Sequence, residues 1–205
     1  MTVKLYYSPG SCSLAAHIVA RETGLPVDIA KVDLRAKQID GGGDYRKINP
    51  KGYVPALVLD DGEVLTEVAV VSQYLADKAP HKHLAPANGT LPRYRVQEWL
   101  SYIGAELHKS FSPLFNPTTP DDMRENRKAY LQMRYVFVDE QLAKGPVLVG
   151  EHFSVADAYL FVVTSWATPM GLDLSAFRNL NDFQKRVAAR PAVRQAMREQ
   201  GLLAD

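Results

Sequence analysis

The sequence predicts two parts in tandem: a small α/β domain with the element order β-α-β-α-β-β-α, then an all-α C-terminal helical domain. Three observations carry this. Short runs that read convincingly as strands occur only within the first third of the chain. A proline-punctuated stretch, Pro80 to Pro92, then interrupts it. Beyond that stretch apolar residues recur at steps of three or four, the helical period. The division is therefore 1–79, a linker over 80–92, and a helical domain over 93–205.

Val3 to Tyr7 (VKLYY) reads as the first strand, and Pro9-Gly10 breaks it. From Ser13, Leu14, Ala15, Ile18 and Val19 have helical spacing, and Gly24 with Pro26 stops that helix. Val27 to Leu34 alternates as a second strand, so the opening is a βαβ unit with a right-handed crossover. A loop at Gly41-Gly42-Gly43 leads to a short irregular helix before Asn49. Ala56 to Leu59, a tight turn at Asp60-Asp61-Gly62 and Glu63 to Leu65 form a hairpin, and Thr66 to Lys78 is amphipathic. This is a thioredoxin-like order, a mixed sheet with a parallel half and an antiparallel half. Past the linker, helices are predicted at Arg93–Phe115, from Pro120 to about Lys144, from Ser154 to near Pro169, at Asn181–Arg190 and at Ala192–Gln200.

Composition narrows the function. Apolar residues make up 46% and charged residues 23% of 205, an ordinary globular mixture. Lys+Arg is 24 against Asp+Glu 23, a net charge of +1, which offers no field for nucleic acid or an anionic membrane. The single cysteine excludes an intramolecular disulfide framework and a cysteine-rich metal site, and no metal is expected. The N-terminal residues lack a secretory pattern, and the most apolar run, Tyr159 to Ala167, is about half a bilayer span. A soluble cytoplasmic protein is the expectation.

Some residues suggest chemistry by position. Cys12 lies between the Pro-Gly break and a helix, where unpaired N–H groups and the helix dipole favour thiolate; the alternative is a buried, inert thiol. Ser13 either donates to a thiolate or caps the helix. Val54-Pro55 opens the third strand as an edge or turn, because proline cannot extend a ladder. Glu67-Val68 begins a helix, a place suited to a ligand carboxylate, although an acid there also complements the dipole. Ser154 and Asp157 read as a structural helix cap. Trp166, Met170, Phe111 and Phe115 could line an apolar pocket or simply belong to the core.

Four segments in this order resemble the cytosolic glutathione transferase family, specifically its bacterial beta class: KLYYSPGSCSLAAHI; NPKGYVPAL with DDGEVLTE; ELHKSFSPLF; and FSVADAYLF. The resemblance covers nearly the whole chain. It implies that Cys12 contacts the glutathione sulfur or bonds to it, and that Val54-Pro55 is cis, aiming the Val54 backbone at the cysteinyl part of the peptide. It implies that Glu67 and the Val68 main chain take the γ-glutamyl end. Val68 departs from the serine many relatives carry. Lys37 is implied for the glycyl carboxylate, and His108 for a role near the thiol. Ser101 stands where close relatives often place an asparagine that reaches glutathione in a neighbouring subunit. Tyr7 matches a tyrosine that other classes use for activation, but here it is expected to pack nearby.

The leading expectation is conjugation of the glutathione thiolate to small apolar electrophiles by a homodimer, with Cys12, Ser13 and His108 around the sulfur. Two rivals stand beside it. One is thiol–disulfide exchange or peroxide reduction through a Cys12 mixed disulfide, necessarily monothiol. The other is a non-catalytic carrier or interaction protein on the same fold.

Overall fold

A computed structural model describes residues 3–204. Strand β1 (Val3–Tyr7) is central; β2 (Val27–Asp33) runs parallel to it, and β4 (Ala56–Val58) is antiparallel on its other side. Strand β5 (Val64–Thr66) completes the expected hairpin with β4, and the sheet order is β3-β2-β1-β4-β5. The two-residue β3 (Gln38–Ile39) was not foreseen: it pairs Ile39 with Val32, but two residues are too few to show a period. Leu5 lies level with Leu57 of β4, both buried, and on the other side with half-buried Ile29 of β2.

Helices α1 (Ser13–Thr23) and α2 (Val68–Asp77) cover the Leu5 face of the sheet through Leu14, Ile18, Val71 and Leu75, all buried. Gly24 ends α1 in a left-handed conformation, φ 73°, and donates its N–H to the Arg21 carbonyl. A smaller cluster of Tyr6, Val32, Tyr45, Val54 and Ala56 fills the other face. Alternation along β1, Leu5 to one side and Tyr6 to the other, divides the two cores.

The next part is helical: α3 (Leu91–Tyr102), α4 (Lys109–Phe115), α5 (Asp121–Leu142), α6 (Val155–Ser165), α7 (Arg178–Ala188) and α8 (Pro191–Glu199). Helix α3 starts two residues before the expected Arg93, because Thr90 caps it, accepting from the Arg93 N–H, and Pro92 suits the first turn. The single helix expected over 93–115 is instead two, joined by a π-type turn at Ile103–His108 where the Lys109 N–H reaches back to the Gly104 carbonyl. The stretch between the two parts is fixed rather than loose. Arg93, 3% exposed, holds Asp77 through two bonds of 2.7 and 2.9 Å and the Pro86 carbonyl at 2.9 Å. Helix α6 is buried on all sides from Val155 to Thr164 and forms the centre of the helical part, against α1, α2 and α3.

The cap of α6 shows why it starts where it does. The Asp157 carboxylate accepts from the Ser154 N–H at 2.8 Å, the Ser154 hydroxyl at 2.7 Å and the Leu148 N–H at 2.9 Å. All are buried, so these bonds replace water that cannot reach them.

Candidate active site

A cleft of about 960 Å³ opens between the sheet part and the helical part. Its floor is the turn after β1. Gly10 adopts φ 68°, the Ser11 hydroxyl donates to the Ser8 carbonyl at 2.8 Å, and Cys12 follows, half-buried, at the start of α1. The Cys12 Sγ–H donates to the Val54 carbonyl at 3.2 Å, across a Val54-Pro55 bond that is cis.

Electrostatics at Cys12 correct the expectation of a thiolate. Burial pushes its thiol up to about 12, and nearby Glu67 adds to the rise. The backbone N–H groups of Cys12 and Ser13 pull the other way but do not win. Cys12 is therefore a neutral S–H donor at physiological pH.

On the helical side, the π-type turn delivers His108 to the cleft wall. Its Nδ1 lies 2.6 Å from the Tyr159 hydroxyl, and its ring meets Trp166 edge-on at 4.9 Å. Burial, helped by Lys109, lowers His108 to about 4, so the ring is neutral. Burial also pushes the Tyr159 phenol upward, which keeps its proton in place. A phenol is the stronger acid of the pair and imidazole the stronger base. We accordingly assign Tyr159 as donor to Nδ1, which leaves Nε2–H as a donor. Trp166 itself donates from Nε1 to the Gly10 carbonyl at 2.8 Å, tying α6 to the floor.

The third wall is the start of α2. Glu67 sits there with φ 70°, unusual for a residue with a side chain, and its carboxylate pairs with Lys51 at 2.6 Å. Val68 follows in the first turn, where backbone N–H groups have no partner within the helix.

The structure thus brings Cys12, Val54, Pro55, Glu67, Val68 and His108 onto one cleft, and it does not bring Ser13, Lys37 or Ser101 there. The Ser13 hydroxyl is fully buried, 2.7 Å from the Ser11 hydroxyl and accepting from the Ser8 N–H at 3.2 Å, so it braces the turn. Lys37 donates to the Gly52 carbonyl at 2.8 Å and lies over the Tyr53 ring. Ser101 is exposed on α3. Tyr7 is buried with its ring against His17. Of the aromatic candidates, Phe115 and Trp166 line the cleft, whereas Phe111 is wholly in the core. Among the described residues no cluster of His, Cys, Asp and Glu could hold a metal ion.

Comparison with known proteins decides the family. Residues 10–78 match the glutathione S-transferase N-terminal domain and residues 102–191 the C-terminal domain. Glutathione S-transferase GstA of Escherichia coli O157:H7 is 44% identical over 200 residues, covering 98% of this chain and all of that one. The chain belongs to the glutathione S-transferase family. The fold agrees with solved members of that family. A bacterial beta class glutathione S-transferase from Sphingomonas chungbukensis superposes with a TM-score of 0.95 at 44% identity, covering 98% and 100% of the two chains. A sphingomonad glutathione S-transferase complexed with glutathione gives 0.94 at 43%, with the same coverage.

Read as a glutathione transferase, the site holds residues that sequence reasoning missed. Tyr159 sits inside FSVADAYLF, read only as a helix cap, and nothing local shows that it faces His108 from another helix. Lys51, one residue from Gly52 in NPKGYVPAL, donates to the Thr66 hydroxyl and Glu67 at 2.8 and 2.6 Å. Lys51 and Glu67 are sixteen residues apart, so nothing local in the sequence signals the pairing.

Proposed function

We propose that this protein binds glutathione in the cleft and conjugates its thiolate to small apolar electrophiles. One observation carries the reading: Cys12, Val54, Glu67 and Val68 face His108, Phe115 and Trp166 across one cleft. The polar half suits a peptide and the apolar half an organic acceptor. In this reading residues 1–79 hold glutathione, 80–92 join the parts, and 93–205 supply the acceptor pocket.

The residues present fit the tripeptide. The start of α2 offers N–H groups to a carboxylate and Glu67 offers a charge to an ammonium group, in exchange for Lys51. The Val54 backbone suits short β-type pairing. When bound, glutathione supplies the sulfur nucleophile. The Cys12 S–H and the His108 Nε2–H are donors able to stabilise a thiolate, which lowers the pKa of the bound thiol and raises the reactive fraction at neutral pH. His108 is neutral above about pH 4 and still keeps its hydrogen on Nε2, because Tyr159 fills Nδ1. Its proton is not consumed. The thiol proton leaves to solvent, and Phe115 and Trp166 hold the acceptor.

A homodimer belongs to this reading, supported by exposed apolar residues along the outer faces of α2 and α3, Val70, Leu91 and Tyr94. Ser101 would then face the partner. A cytoplasmic location fits the free thiol of Cys12. Exchange through a Cys12 mixed disulfide is disfavoured, because a thiol held near 12 carries almost no thiolate at neutral pH.

The test is retention on immobilised glutathione together with conjugation of a chloronitroaromatic acceptor. The native protein should be retained and active. Cys12→Ala should remain active within about tenfold, the loss of one donor. A native protein that neither binds nor conjugates sinks the proposal, and complete loss in the alanine variant would reassign Cys12 as the nucleophile.

A further inference from the structure

We infer that Gln200 is a positioning residue for the turn that presents Cys12: its side-chain amide, oriented by buried His17, holds the Gly10 N–H and couples α8 to the cleft. The inference builds on the reading of that cleft as the thiol site.

The orientation follows from donor and acceptor counting. His17, on α1, is fully buried, and each ring nitrogen has one partner. Nε2 lies 2.7 Å from Glu199 Oε2, and Nδ1 lies 3.0 Å from Gln200 Nε2. An ionised carboxylate only accepts, so Nε2 carries the hydrogen. Arg21 keeps that carboxylate charged, with its Nε donating to the same oxygen at 2.7 Å. In a neutral ring Nδ1 then has only its lone pair, and the Gln200 amide must turn its NH₂ toward it. Gln200 Oε1 is thereby left facing the Gly10 N–H, and it accepts from it at 3.2 Å. The flipped amide would set NH₂ against the Gly10 N–H and Oε1 against the Nδ1 lone pair, donor facing donor and acceptor facing acceptor.

Gly10 is held from two sides. Its N–H is bonded to Gln200 beyond α8, and its carbonyl accepts from Trp166 beyond α6. It stands two residues before Cys12, with φ 68°, and Pro9 before it has no N–H to anchor the turn otherwise. Leu202 Cδ2 packs beside it, 3.7 Å from where a Cβ would lie. Removing the Gln200 amide leaves the Trp166 and Ser8–Ser11 bonds, so the turn loosens without unfolding.

The Gly10 amide resonance provides the test by hydrogen exchange, and alkylation of Cys12, the sole cysteine, reports the same turn chemically. In the native protein the Gly10 amide should be protected. In Gln200→Met, a variant of similar shape, its exchange and the alkylation of Cys12 should both speed up by about five- to tenfold, the worth of one hydrogen bond. Glu22→Gln, which weakens the Arg190 contact between α1 and the start of α8 but leaves Glu199, His17 and Gln200 untouched, should lower Tm and leave both rates unchanged. An unprotected Gly10 amide in the native protein overturns the inference without any variant. So do unchanged rates in a folded Gln200→Met, or equal acceleration in Glu22→Gln. None of these measurements uses glutathione, so a failure to bind glutathione is a separate result.

Discussion

His108 takes its chemistry from a residue 51 positions further along the chain. Tyr159 fills Nδ1 and so settles which ring nitrogen is the donor, as second partners do for many functional histidines. Tyr159→Phe should therefore lower kcat/KM for conjugation by about tenfold, roughly 1.4 kcal/mol, with the fold intact by circular dichroism. Activity equal to the native protein would remove Tyr159 from the mechanism. His108 was legible in ELHK, and Tyr159 was not, because sequence periodicity reports which residues are buried and not which two meet across helices. Ser13 and Lys37 show the converse. Both lie beside the right elements, yet one braces a turn and the other caps the Gly52 carbonyl. A residue's neighbourhood is readable from sequence; the direction of its side chain depends on packing from elsewhere.

At the level of elements, α6 depends on one carboxylate. Asp157 satisfies three buried donors at once, two on Ser154 and one on Leu148. Asp157→Ala leaves them unpartnered and should cost on the order of 3 kcal/mol, seen as a lower urea midpoint; Asp157→Asn, which keeps one acceptor oxygen, should cost less. Equal midpoints for native and alanine forms would mean water replaces the cap. This element was legible because Ser-x-x-Asp before an apolar run states its own mechanism. The π-type turn was not. Helical spacing from Val96 to Phe111 is continuous, and one extra residue in a turn moves side chains around the axis without breaking the apolar pattern. That shift is what brings His108 to the cleft.

The whole molecule has a pH window set by buried neutral groups. Burial holds both His17 and His108 near 4, below the ordinary 6.5. Between those values the unfolded chain binds protons that the folded chain refuses, so stability falls as pH drops from about 6.5 toward 4. Asp157, raised by burial, works in the opposite direction and blunts the loss. On the alkaline side Cys12 resists ionisation, so stability also declines above its ordinary 9. Tm measured by calorimetry should be flat from about pH 6.5 to 9 and lower by several degrees at pH 5; an equal Tm at pH 5 and 7.5 would mean the histidines are hydrated. The bond from Trp166 to Gly10 has a further consequence, an optical one. The chain has two tryptophans, and the other, Trp99, stacks on Phe137 in a groove between α3 and α5. With Trp99 replaced by phenylalanine, all remaining indole fluorescence comes from a ring bonded to the floor of the cleft, so the protein carries its own emitter beside Cys12 and needs no attached dye.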